Sequence, residues 1–138
     1  MDCLFCNIVK GVIPSCKVYE DDDTFVFLDI SPVTKGHCLI IPKQHFKSIF
    51  DIDDETLKKV IVAAKKVSEK IKQSLKSDGI RLSQSNGKAA GQDVMHFHLH
   101  VIPRYKDDGV LMSETTTAYP RQTDFKELKK LALQLHSG

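Results

Sequence analysis

Apolar and polar positions along the chain fall into two rhythms. In residues 24–29, Phe25, Phe27 and Asp29 share one face while Val26 and Leu28 share the other, the alternation of a strand. Residues 16–20 predict a preceding strand across the turn Asp21-Asp22-Asp23. Gly36 to Ile41 predicts a third, stopped by Pro42, with His37, Leu39 and Ile41 on one face. Residues 80–85 and Val94 to Ile102 read as two more, the last ended by Pro103. The helical rhythm is strongest over 54–77, where Leu57, Val60, Ile61, Ala64, Val67, Ile71 and Leu75 recur at steps of three and four. Asp53 caps that helix, Asp54 and Glu55 suit its positive end, and Gly79 is its expected stop. Residues 124–136 predict a closing helix with Phe125, Leu128, Leu131 and Leu135 on one stripe. A short helix over 3–9 is expected behind an Asp2 cap, ended by Gly11 and Pro14. The segment 106–122 is polar and irregular.

Strands joined by short turns or by one long helix imply an α+β fold: a five-stranded antiparallel sheet with one long and one C-terminal helix. Such an open sheet has edges to cover, so a homodimer is expected. With no repeat, low-complexity run or linker, residues 1–138 are expected to form one domain.

Composition narrows the function. Hydrophobic residues make up 41% of the 138 and charged residues 28%, enough to bury a core. Lys and Arg number 20 against 18 acids, with no polybasic tract, which argues against nucleic acid or a membrane surface as partner. The start has no basic region followed by an apolar one, and runs such as Cys38-Leu39-Ile40-Ile41 are far too short to span a bilayer. Cys3, Cys6, Cys16 and Cys38 lack the density of a secreted disulfide scaffold. A cytoplasmic protein is expected, its cysteines reduced or metal-bound.

Three of the six histidines, His96, His98 and His100, alternate within five residues, a pattern with a chance of about one in a hundred at this histidine frequency. On a strand they point to one face roughly 6.6 Å apart, with Phe97, Leu99 and Val101 anchoring the other. Imidazoles so placed serve as nucleophile, proton donor or metal ligand. A catalytic zinc site usually recruits a further ligand, and the nearby carboxylate, Asp93, has the wrong strand parity. Phosphoryl chemistry fits better, because the Gly-flanked loop 86–92 offers backbone N–H groups and Asn86 to phosphate oxygens. Cys3 and Cys6 bracket one helical turn, as half of a tetrahedral zinc site would, or as two small buried thiols.

His96-Phe97-His98-Leu99-His100-Val101-Ile102 resembles the His-φ-His-φ-His-φ-φ signature of the histidine triad superfamily. The likeness extends through Leu4-Phe5 to Ile13-Pro14, Asp29 to Pro32, Gly36-His37 to Lys43, and Asn86 to Pro103, and is nearest the small bacterial-type, Hint-like branch of homodimeric nucleotide-binding hydrolases. It implies His98 as nucleophile on the α-phosphorus of a purine nucleoside monophosphate derivative, with His100 and His37 flanking the phosphate. Asn86, Gly91 and Gln92 match the family's phosphate loop, Asp29 its ribose-binding carboxylate, and Phe5, Ile8 and Ile30 its base cleft. In zinc-bearing members of this branch the partners of Cys3 and Cys6 fall at His45 and His96, a closed and therefore structural Zn2+ site; spacing alone does not choose His45 over His136. Asp93 stands where the best-known eukaryotic members carry serine. A carboxylate there repels a phosphate unless protonated or turned away, so Asp93 is left out of the expected site.

The resulting expectation is a hydrolase of purine nucleoside 5′-phosphoramidates working through a nucleotidyl-histidine intermediate. Dinucleoside polyphosphate hydrolysis, a metal-dependent hydrolase with the triad on catalytic zinc, and a non-enzymatic nucleotide-binding or interaction module stand beside it.

Overall fold

Two of the five strands are buried on both faces, and that fact organises the molecule. In the computed structural model, which describes residues 2–110 and 124–136, β1 (Lys17–Glu20), β2 (Thr24–Leu28), β3 (Cys38–Pro42), β4 (Gly79–Ser83) and β5 (Leu99–Arg104) form one antiparallel sheet in the order β1-β2-β3-β5-β4. Every residue of β2 and β3 is buried. The fold is α+β with a five-stranded antiparallel sheet, as the sequence predicts.

Alternation assigns each strand residue to one of two cores. Val18, Val26, Leu28, Cys38, Ile40, Leu99 and Val101 meet the buried stripe of α2 (Asp54–Leu75), namely Val60, Ala63, Ala64, Val67 and Ile71, and Leu128, Ala132 and Leu135 of α3 (Phe125–Leu135). On the other face, Phe25, Phe27, Leu39 and Ile41 meet Phe5 and Ile8 of the short α1 (Leu4–Val9). Leu39 pairs with His100, so the odd residues of β2 and β3 and the even residues of β5 share the α1 face. Asp29, His37 and His100 all continue these rows. Parity thus delivers them to one place.

Several boundaries differ from expectation. Cys3, not Asp2, caps α1, its sulfur 3.4 Å from the Cys6 amide N. Helix α2 ends at Lys76, which takes the left-handed conformation (φ 56°), while Gly79 opens β4. Ile61 is 49% exposed: the stripe that faces the sheet runs through Ala63 and Ala64 instead. Ladder pairing in β5 starts only at Leu99, so His96 and His98 lie in the irregular segment before it, His96 in a bend. β5 also continues through Pro103 to Arg104. Cys38 pairs with Val101, so Pro103 has run past the end of β3 and interrupts no ladder on that side. Residues 106–110 are irregular as expected, and 111–122 of that segment lie outside the described residues.

The loop between β2 and β3 is tightly held. Thr34 Oγ1 donates to the Pro103 carbonyl, the Asp29 amide to the His37 carbonyl at 2.9 Å, and the His37 amide to the Thr34 carbonyl at 3.2 Å. Gly36 sits at φ +94°, and a Cβ there would come within 2.7 Å of Leu75 Cδ1 and 3.2 Å of Pro103 Cγ. Only glycine meets both demands, and it fixes the chain one residue before His37.

Candidate active site and metal centre

On the α1 face lies an open cavity of about 200 Å³, lined among others by Phe5, Ile8, Ile13, Phe27 and Leu39 on its apolar side and by Asp29, Asp93, His98 and His100. Ile30 also lines it and is 64% exposed. His98 and His100 are buried, their ring centroids 5.2 Å apart, and the Phe5 ring meets His98 edge-on at 5.1 Å. His37 lies behind this wall, its Nε2 3.0 Å from His100 Nδ1 and 3.6 Å from Asp29 Oδ2.

Backbone groups settle where the imidazole protons sit. The Val33 amide donates to His37 Nδ1 at 3.0 Å, so a neutral His37 carries its proton on Nε2. That proton is donated to His100 Nδ1, which leaves His100 with an Nε2–H. His98 Nδ1 is 2.8 Å from the His96 carbonyl, which can only accept, so the proton is on Nδ1 and the lone pair of a neutral ring is on Nε2. Burial, reinforced by His100, pushes the His37 pKa down to about 3; burial, reinforced by His98, pushes His100 down to about 4. Both rings are therefore neutral at pH 7 and work as hydrogen-bonding groups. Asp29 accepts from the Ser31 amide at 2.8 Å, and burial raises its carboxyl above the usual range.

The phosphate-loop residues sit differently. Gln92 is buried, its Oε1 accepting from the Gly87 amide (2.7 Å) and its Nε2 donating to the carbonyls of Lys47 (2.7 Å) and Val94 (3.0 Å). Asn86 exchanges two amide hydrogen bonds with Gln84 (2.7 and 2.6 Å) and accepts from the Ile49 amide at 2.7 Å. Gly91 is exposed at φ +92°. None of the three lines the cavity; together they brace the loop that runs into Asp93 and Val94, which do.

Asp93 is the residue that sequence reasoning set aside. Its Oδ1 lies 3.3 Å from His98 Nε2. Parity, which counted against Asp93 as a zinc ligand of the triad, does not fix its direction toward His98, because residues 92–98 precede the regular strand.

A second cluster stands beneath α1. Cys3 Sγ and Cys6 Sγ are 3.4 and 3.5 Å from His96 Nδ1, Cys6 Sγ is 3.4 Å from His45 Nδ1, and the two Nδ1 atoms are 3.1 Å apart. Tetrahedral zinc with bonds of ~2.3 Å to sulfur and ~2.05 Å to nitrogen requires S···N edges of ~3.6 Å and N···N edges of ~3.3 Å. The four donors are therefore spaced for the ion. His96 Nε2 donates to the Pro42 carbonyl at 2.8 Å, turning its Nδ1 lone pair toward the cluster as a metal ligand requires. His136, the alternative to His45, is exposed at the end of α3.

A buried pair of histidines at an apolar cavity, with a Cys2His2 cluster at its flank, is the arrangement that the histidine triad pattern of the sequence predicts. Residues 10–107 match the HIT domain model, and the chain belongs to this histidine triad family of nucleotide hydrolases. It is 47% identical over 109 residues to Protein hit of Bacillus subtilis, covering 78% of this chain and 75% of that protein. It is 40% identical over 134 residues to an adenosine 5′-monophosphoramidase of Saccharomyces cerevisiae, covering 96% of this chain and 80% of that one. Among solved structures, a zinc-bound histidine triad family protein from Mycobacterium smegmatis superposes with a TM-score of 0.82 at 36% identity, covering 98% of this chain and 96% of its own.

Proposed function

We propose that this protein cleaves purine nucleoside 5′-phosphoramidates through a nucleotidyl intermediate on His98. The observation that carries the reading is the arrangement of the two rings: His98, its Nδ1 tied to the His96 carbonyl and its Nε2 turned outward, beside the Nε2–H of His100, both on the cavity wall. Attack by His98 Nε2 forms an N–P bond as the P–N bond breaks, its electron pair leaving with the amine nitrogen, which takes a proton from water. The His100 Nε2–H then stabilises charge on the non-bridging phosphate oxygens, its tautomer held by His37. Water attacks the intermediate in the second step and returns the electron pair to His98, releasing the nucleoside monophosphate.

In this reading Phe5, Ile8 and Ile30 hold the base, Asp29 accepts from the ribose hydroxyls, and Asn86, Gly91 and Gln92 frame the phosphate loop. Zinc on Cys3, Cys6, His45 and His96 would have a structural role, supplying a cross-link between α1 and the segment that carries His98. The donor spacing and the zinc-bound relative support it. The same reading takes residues 1–138 as one cytoplasmic domain that pairs as a homodimer. Among the described residues β4 has a strand neighbour on one side only, with Leu82 44% exposed, which favours pairing, and no described helix is long and apolar enough to cross a membrane.

Trapping tests the chemistry. Wild type mixed with adenosine 5′-phosphoramidate labelled at phosphorus and quenched in the pre-steady state should carry an acid-labile adduct on His98. His98→Ala should carry none and lose turnover by at least about a thousandfold. Equal turnover in the two proteins would overturn the assignment.

A further inference from the structure

The charged lining of the cavity is one-sided. Its titratable wall residues are Asp29, Asp93, His98 and His100, and among the described residues no lysine or arginine lines it. A site for polyphosphate chains would need such cations, because each added phosphate brings negative charge. Instead there are two carboxylates, and they differ in setting. Asp29 is buried beside the apolar end, and its Oδ1 accepts from the Ser31 amide. The Asp93 side chain is 51% exposed, at the rim, with Oδ1 3.3 Å from His98 Nε2 and 2.9 Å from the Val94 amide.

That 3.3 Å position has a meaning. A phosphorus poised for attack must lie ~3–3.5 Å from the attacking nitrogen. Asp93 Oδ1 therefore stands, in the free protein, within the attack distance of His98 Nε2 that a scissile phosphorus must enter. A bound substrate competes with the carboxylate for that position, and the half-exposed Asp93 side chain stands at the open rim. With the nucleoside occupying the apolar side, the rim is also where the leaving group departs.

We propose that Asp93 is a specificity-determining residue that selects substrates by the charge of the leaving group, favouring amines and rejecting anions. The proposal rests on the phosphoramidase reading above. The N–H of a phosphoramidate nitrogen donates a hydrogen bond to the displaced Asp93 carboxylate. When His98 Nε2 bonds to phosphorus, that nitrogen takes the P–N electron pair and one proton from a rim water and leaves as a neutral amine. The hydroxide so formed attacks the intermediate in the second step, His98 leaves with its electron pair, and the remaining proton passes from the product phosphate to the amine, which departs as ammonium. A leaving group that carries a carboxylate or phosphate instead meets a like charge, with no cation on the described cavity wall to offset it.

A matched pair of substrates isolates the effect: adenosine 5′-phosphoramidates of alanine methyl ester and of alanine, identical at the P–N bond and differing by one negative charge. In wild type the ester should exceed the free acid in kcat/KM by about tenfold, the scale of a like-charge contact near a protein surface. Asp93→Asn should reduce that ratio to about threefold or less, Asp93→Lys should invert it, and Asp93→Glu should retain it. Cleavage through a His98 adduct with the same ratio in wild type and Asp93→Asn overturns the role of Asp93 and leaves the phosphoramidase reading standing. Cleavage of neither substrate by wild type, with no adduct, overturns that reading and this inference together.

Discussion

His37 and His100 are joined nitrogen to nitrogen across 3.0 Å, and the direction of that bond is set by a backbone amide on the far side of His37. The Val33 N–H occupies His37 Nδ1, so the shared proton belongs to His37 and the outward proton to His100. Removing the inner ring should thus damage chemistry through the outer one. His37→Ala is expected to lower the single-turnover rate of nucleotidyl transfer about a hundredfold while changing KM by less than about threefold. His37→Gln, whose amide can still donate to His100 Nδ1, should recover at least about tenfold of that loss. A large KM change with an intact rate would mean that His37 acts on binding instead.

The same pair makes stability depend on pH. Both pKa values are lowered, to about 3 for His37 and about 4 for His100, against about 6.5 in an unfolded chain. Between those values the unfolded chain binds more protons than the folded one, so stability rises with pH across this window. The contribution is complete above about pH 6.5 and is lost as pH falls toward 4. Urea unfolding between pH 6 and 5 should show stability falling by up to about 2.7 kcal/mol per pH unit from the two rings together. His37→Gln should roughly halve that slope. An unchanged slope would show that neither ring is held neutral by its burial.

How much of this was legible beforehand depends on whether a residue's role follows from local rhythm. Period-two alternation gives each strand its own two faces, setting Asp29 with Phe25 and Phe27 and His37 with Leu39 and Ile41; that these rows meet His100 depends on the strand pairing of Leu39 with His100, which alternation does not carry. The left-handed Lys76 was not legible, because lysine carries no signal for that conformation and Gly79 nearby carries a strong one. The capping sulfur of Cys3 was hidden by a conventional cap, Asp2, one residue earlier. The position of Asp93 was not legible for a physical reason: alternation holds only where a ladder keeps the strand pleated, and the ladder of β5 begins at Leu99. Likewise Gln92 matched a phosphate-loop position, but which way its amide turns depends on Lys47, 45 residues away in the chain.

The Cys2His2 cluster links α1, which carries Phe5 and Ile8, to His96, two residues from His98. Cys3→Ala should lose bound zinc and lower Tm by about 10 °C, the scale of losing one cross-link in a domain of this size. Hydrolysis should persist at a reduced rate, because the ion would touch no reacting atom. Chelation of the wild type should reproduce both effects. Metal analysis, thermal unfolding and turnover on the same samples check this, and complete loss of activity with zinc retained would assign Cys3 another role.

Gln92 provides the sharpest contrast between framing the phosphate loop and touching the phosphate. Its amide satisfies one amide and two carbonyls, at 2.7, 2.7 and 3.0 Å, from a buried position. Gln92→Ala removes all three bonds and is expected to cost about 2 kcal/mol in urea unfolding, with KM rising because the loop before Asp93 loosens. Gln92→Glu keeps the shape but sets a carboxylate oxygen against the carbonyls of Lys47 and Val94. It should be at least as destabilising as alanine at pH 7.5, and less so at pH 5, where a protonated carboxyl supplies one donor. If the side chain served only to bind phosphate, both variants would unfold like wild type and differ from it in KM alone. Stability and KM moving together is the expected result, since the frame and the site are one loop.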